Sequence, residues 1–170
     1  PSVFEANFIA WVKSLCSKNS GVVAIDGKTV RGSRKEGNKS AIHMVSAFAA
    51  ANGLVLGQVK TNQKSNEITA IPELLKVLDI EGCIITIDAM GCQTKIASAI
   101  VEKEADYILA VKDNQKELYT DIVDTFRFAQ KDKIISHEDI DIGHGRVETR
   151  ICTVTNDLSL LTGAENWKDI

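Results

Sequence analysis

The chain has 170 residues, 44% of them apolar and 25% charged, enough for one domain with a hydrophobic core. Its net charge of −3 and isoelectric point near 5.6 exclude a protein that coats DNA along its whole surface. Two prolines and no low-complexity tract argue against disorder, and no apolar run is long enough to cross a bilayer.

At the N-terminus, Phe4, Phe8, Trp11, Val12 and Leu15 recur at helical spacing over residues 4–16. The abrupt start of this helix suggests the tail of something larger upstream. Val22–Ile25 reads as a β-strand ending at Asp26-Gly27. Residues 42–50 and 54–61 read as two further strands, joined by a hairpin at Asn52-Gly53. Periodicity then changes. Ile68, Ile71, Leu74, Leu75 and Leu78 predict a helix, with Pro72 tolerable near its first turn.

Cys83–Ile87 is a continuous apolar run, the pattern of a strand buried on both faces. Ile96, Ala97, Ile100 and Val101 predict another helix, and Tyr107–Val111 another buried strand. Asn114 followed by Glu117 resembles a capping box that opens a helix carrying Leu118, Ile122 and Phe126. Residues 134–142 and 147–155 suggest a polar two-stranded ribbon turning at His144-Gly145. The order β-β-β-α-β-α-β-α plus a ribbon implies an α/β (α+β) fold with a mixed sheet and flanking helices.

Two acids stand out. Asp26 follows the run VVAI, and Asp88 follows CIITI. If the first strand pairs with the fourth, these carboxylates become neighbours beside the sheet. Paired carboxylates repel and resist desolvation, and a divalent cation between them offsets both terms. Hard oxygen ligands in an incomplete cage suit Mg²⁺ or Mn²⁺, which keep waters and accept phosphate oxygens. The alternatives are a hairpin turn at Asp26-Gly27 and a helix-capping role for Asp88.

Lys28, Arg31, Lys112 and Arg146 are the basic residues nearest these segments in sequence, as phosphate contacts or as solvated surface charge. Lys28, Arg31, Arg34, Lys35 and Lys39 face only Glu36 as a countercharge within residues 28–39. Gln93 and Asn114 follow two strand ends and are placed to line the same crevice. Trp11 and Trp167 read as packing residues. The four cysteines and three histidines show neither C-x-x-C nor zinc-ligand spacing.

The runs AIDGKTVRGS (24–33), HMVSAFAA (43–50), SNEITAIPELL (65–75), ITIDAMGCQ (85–93), DYILAVKDNQ (106–115) and HGRVETR (144–150) resemble the H-repeat-associated proteins. These are a branch of the insertion-sequence transposases with an acidic DDE triad. The resemblance covers nearly the whole chain. It implies a ribonuclease H-like fold with a five-stranded mixed sheet, and Mg²⁺- or Mn²⁺-dependent cleavage and transfer of double-stranded DNA at transposon ends. It also implies a cytoplasmic bacterial protein, with a homodimer as a possible assembly.

Asp26 and Asp88 map onto the first two acids of the triad, as catalytic and metal-binding residues. Residues 1–20 then correspond to the tail of an N-terminal associated region, and 21–170 to a core incomplete at its C-terminus. The family's third acid is a glutamate in a downstream R-x-x-W-x-I-E-N helix, a pattern this sequence lacks; Glu148 stands in a different motif. The expected function is a transposase catalytic core, inactive as this fragment. The alternatives are a non-catalytic DNA-binding remnant and a ribonuclease H-like nuclease.

Overall fold

The computed structural model describes residues 2–15, 21–31, 33, 41–61, 67–143 and 145–170. Arg34, Lys35, Glu36, Lys39 and His144, singled out above, lie outside them. The chain divides into two compact units, Pro1–Asn114 with Glu165–Ile170, and Gln115–Ala164.

The first unit is built on a five-stranded sheet in the order β3-β2-β1-β4-β5. The strands are β1 (Gly21–Thr29), β2 (His43–Ala49), β3 (Leu54–Thr61), β4 (Cys83–Ile87) and β5 (Asp106–Leu109). β1, β2 and β3 form an antiparallel meander, and β4 and β5 add in parallel on the other side of β1. This is the five-stranded mixed sheet that the sequence resemblance implies. The helices of this unit are α1 (Ser2–Leu15), α2 (Glu67–Val77) and α3 (Thr94–Val101).

The core lies on one face of the sheet only. Val23, Ile25, Val45, Ala47, Cys83, Ile85 and Ile87 point from the strands into it. Ile71, Leu74 and Leu75 of α2, with Ile96 and Ile100 of α3, complete it. Strand periodicity turns alternate residues to the opposite face, where Val22, Phe48 and Ile108 are exposed.

The hairpin expected at Asn52-Gly53 forms, and three other local readings of the sequence are corrected by the coordinates. The β2–β3 hairpin turns over residues 50–53, with Gly53 at φ +65 and its amide donating to the Ala49 carbonyl at 2.9 Å. Only Gly53 of the Asn-Gly pair takes a left-handed conformation, so the tight two-residue turn does not form. Pro72 sits inside α2, where burial of Ile71, Leu74 and Leu75 outweighs the missing N–H. β5 stops at Leu109, so Lys112 lies on the following loop rather than at a strand end. Trp11 is exposed against Phe8, with ring centroids 5.9 Å apart, whereas Trp167 is buried as expected.

The second unit holds α4 (Lys116–Phe128) and the antiparallel ribbon β6 (Ile134–Gly143) and β7 (Arg146–Thr155). The ribbon is less polar than its sequence suggested. Register places Ile140, Ile142, Val147 and Ile151 on one face, and Asp139, Asp141, Glu148 and Arg150 on the other. All four apolar residues are exposed, Ile142 to 77%. No helix among the described residues is long and apolar enough to cross a membrane.

Candidate functional site

Asp26 does not sit in a turn. β1 continues through Asp26 to Thr29, because the antiparallel ladder with β2 persists to the pair Thr29–His43. Asp26 faces Ser46 across that ladder. The parallel ladder to β4 ends at the pair Ile25–Ile87, and Asp88 continues in extended conformation (φ −68, ψ 176). Asp26 and Asp88 thus occupy the next position on two adjacent parallel strands. Both line an open depression of about 380 Å³, together with Ala24, Thr86, Ile108 and Ala110 from the uncovered face of the sheet.

The Asp26 side chain is 58% exposed, with Lys28 Nζ 3.5 Å from its Oδ2. The two residues share a face by strand alternation, so Lys28 dilutes the negative field beside Asp26. Asp88 combines two of the readings above. Its Oδ1 accepts from the Met90 amide at 3.1 Å and caps a single 3-10 turn over Ala89–Gly91. The cap fixes the carboxylate while leaving it exposed beside Asp26. Gly91 lets this turn pack tightly, since a Cβ there would collide with the Ile87 side chain.

Asn114 does not cap α4; Gln115 occupies the cap position, and its side chain makes no capping bond to the helix. The Asn114 amide instead donates to the Ala89 carbonyl at 2.6 Å. It staples the loop after β5 to the turn that carries Asp88. Gln93 precedes α3 without a side-chain cap bond. Lys112 is exposed on the loop after β5, and Arg31 is exposed beyond the end of β1. Arg146 and Glu148 belong to the ribbon of the second unit. Glu148 pairs there with Arg150 at 2.6 Å in an exposed ion pair.

Sequence reasoning missed a second polar cluster on the covered face of the same strands. His43 Nε2 lies 2.5 Å from Glu67 Oε1, with the two side chains only 3% and 6% exposed. His43 Nδ1 is 3.1 Å from the Thr29 hydroxyl. The one local signal was Gly27, which leaves the space that the Glu67 carboxylate fills.

Could a metal sit at the acidic edge? Among the described residues no group of three or more His, Cys, Asp or Glu converges on one point. The donor set is two exposed carboxylates on an open face. That fits a hard divalent cation which keeps most of its water, and does not fit a closed structural site.

Comparison with known proteins identifies the family. YncI of Escherichia coli (strain K12), which carries a transposase name, is 53% identical over 160 residues, covering 90% of this chain and 63% of its own length. The H repeat-associated YbfD of the same strain, also with a transposase name, is 46% identical over 93% of this chain and 65% of its own length. A protein from Xanthobacter autotrophicus is 39% identical, covering 98% of this chain and 58% of its own. The chain therefore spans under two-thirds of the length of these relatives. A solved piggyBac transposase synaptic complex with hairpin DNA superposes on 71% of the chain at TM-score 0.46 and 14% identity, and on 28% of its own chain. The family described as "Transposase DDE domain" matches residues 17–160, which include both Asp26 and Asp88, and the chain belongs to it.

Proposed function

We propose that this domain is the part of an insertion-sequence transposase that holds a divalent cation, Mg²⁺ or Mn²⁺, at Asp26 and Asp88 for cleavage and transfer of double-stranded DNA. The observation that carries the reading is the shared edge. Two acids from distant parts of the chain stand at adjacent positions of parallel neighbours β1 and β4, on the open side of the sheet.

A cation bound there would polarise a phosphoryl oxygen and lower the pKa of a bound water or 3′-hydroxyl. The chain's own groups do the rest. Asp26 is presented by a strand paired on both sides, and Asp88 is locked by its own cap and by the Asn114 staple. Such rigidity keeps both carboxylates aimed at one point without reorganisation. Lys28 beside Asp26 is positioned to receive a phosphate oxygen, and Arg31, Lys112 and Arg146 are the further phosphate contacts of this reading. Work on DNA in a bacterium places the protein in the cytoplasm, and joining paired ends favours a homodimer.

Titration with Mn²⁺ tests the reading. Asp26→Asn and Asp88→Asn should each weaken binding at least about tenfold, because either change removes one of two anionic ligands. Unchanged affinity in both variants overturns the metal site. With the site intact, nicking of a duplex oligonucleotide by a longer relative should require Mg²⁺. DNA binding that is salt-sensitive, yet without Mg²⁺-dependent nicking, would instead mark a non-catalytic remnant.

A further inference from the structure

The buried His43–Glu67 pair, joined at its outer end by the exposed Thr29, is foreign to its surroundings. Glu67 is the first residue of α2 and His43 the first of β2, and both side chains enter the helix-covered face. Around them the core is aliphatic, with Ile25, Val45 and Ile71 all nearly inaccessible. Removing two ionisable groups from water costs several kcal/mol each, and a good hydrogen bond recovers it only in part. A well-packed apolar pair of similar volume would be as stable or more so. Stability alone does not account for the pair.

Geometry does. The Glu67 carboxylate fills the place where any Cβ at position 27 would lie. One carboxylate therefore abuts the β1 backbone at Gly27, binds the β2 side chain of His43, and anchors the start of α2. Thr29 ties the far side of His43 back to β1. Asp26 is the residue directly before Gly27 and projects from the opposite face of the strand. On its own face the ion-pair partner of Asp26 among the described residues is the exposed Lys28 at 3.5 Å, so the position of Asp26 is set chiefly by the backbone, and the backbone abuts Glu67.

We propose that His43 and Glu67 are positioning residues, which clamp the end of β1 from behind and so set the Asp26 carboxylate against Asp88. The proposal rests on the metal-site reading above. Apolar side chains at these positions would fill the space but would not supply the directional bonds that tie β1, β2 and α2 together here, beyond the β1–β2 backbone ladder.

The test uses Mn²⁺ alone as probe on the full chain, with Asp26→Asn as reference for loss of the site. The apolar double variant His43→Leu/Glu67→Met should melt at or above the wild-type temperature and yet bind Mn²⁺ about tenfold more weakly, the scale at which outer partners of metal ligands act. Glu67→Gln, which keeps shape and hydrogen bonding to His43, should stay close to wild type. Gly27→Ala, which leaves both polar groups but expels the carboxylate from its notch, should lose about as much as the double variant. A folded double variant or Gly27→Ala with wild-type Mn²⁺ affinity overturns the proposal.

If Asp26→Asn and Asp88→Asn leave Mn²⁺ binding unchanged, the metal reading fails by itself, and a metal-free measurement then decides the clamp. Amide hydrogen exchange at Gly27 and Lys28 should quicken about tenfold in Gly27→Ala and in the double variant His43→Leu/Glu67→Met, with Ile85 unaffected. Exchange as slow as wild type at both amides overturns the clamp.

Discussion

The two faces of β1 carry carboxylates in opposite situations. On the covered face Glu67 is buried, bonded to His43, and fills a notch made by a glycine. On the open face Asp26 and Asp88 are exposed, and their contacts with protein orient them without enclosing them. A carboxylate supplied with an internal partner is a finished joint. A carboxylate held rigidly and left facing solvent keeps lone pairs open to a ligand from outside. One strand presents both because its alternation sends neighbouring residues to opposite sides.

The largest effect that should separate the faces is in packing. Ile85 is fully buried among the strands, whereas Ile108 on β5 is 61% exposed on the open face. Ile85→Ala should destabilise the protein by about 2–4 kcal/mol in urea unfolding, and Ile108→Ala by less than about 0.5 kcal/mol. Equal costs would mean that the open face is not open in solution. A smaller effect should come from the staple at the acidic edge. Asn114→Ala removes the bond to the Ala89 carbonyl and should cost about 1 kcal/mol in thermal unfolding.

The smallest effect concerns a carboxylate of a third kind, half-buried and partnered. Asp157 in the second unit accepts from Lys133 Nζ at 2.9 Å and from the Ser159 amide at 3.1 Å. Bonding to Lys133 first, then to Ser159, lowers its pKa from 3.8 to about 2. The unfolded chain therefore takes up this proton first as pH falls. The stabilisation is complete above 3.8 and lost as pH falls through about 2. Melting temperatures followed from pH 5 to 2 should fall less steeply in Asp157→Asn than in wild type. Parallel curves would show that the bond contributes nothing.

How much of this was legible in the sequence differed with the range of the interaction. Apolar runs such as CIITI announced strands, but not burial on both faces: β4 alternates buried and half-buried residues, because the second face of the sheet is uncovered. Asp26 and Asp88 were legible as acids adjoining such runs, since the residue at the end of a buried run must emerge at an edge. The turn at Asp26-Gly27 was ambiguous, because a glycine after an aspartate serves a turn or a close approach equally well. Only Glu67, arriving from another element, decides between them.

His43 and Glu67 are separated by an entire hairpin, and no local periodicity links them. Asn114 was read as a cap because Asn caps helices, and the competing carbonyl of Ala89 comes from a different loop. The ribbon was read as polar because charged and apolar residues alternate along it, and alternation in a strand hides an apolar face in a polar average.

The route of the backbone has a consequence of its own. The sheet-bearing unit ends at Asn114 and resumes at Glu165. The Tyr107 hydroxyl, donating to the Lys168 carbonyl at 2.7 Å, moors the returning segment to β5, as Asn114 moors the departing one. Residues 115–164 are thus a module spliced into a scaffold that grips both of its ends. Such a module is free to diverge, lengthen or be exchanged while the acidic edge stays in register, and variation among relatives should concentrate in it.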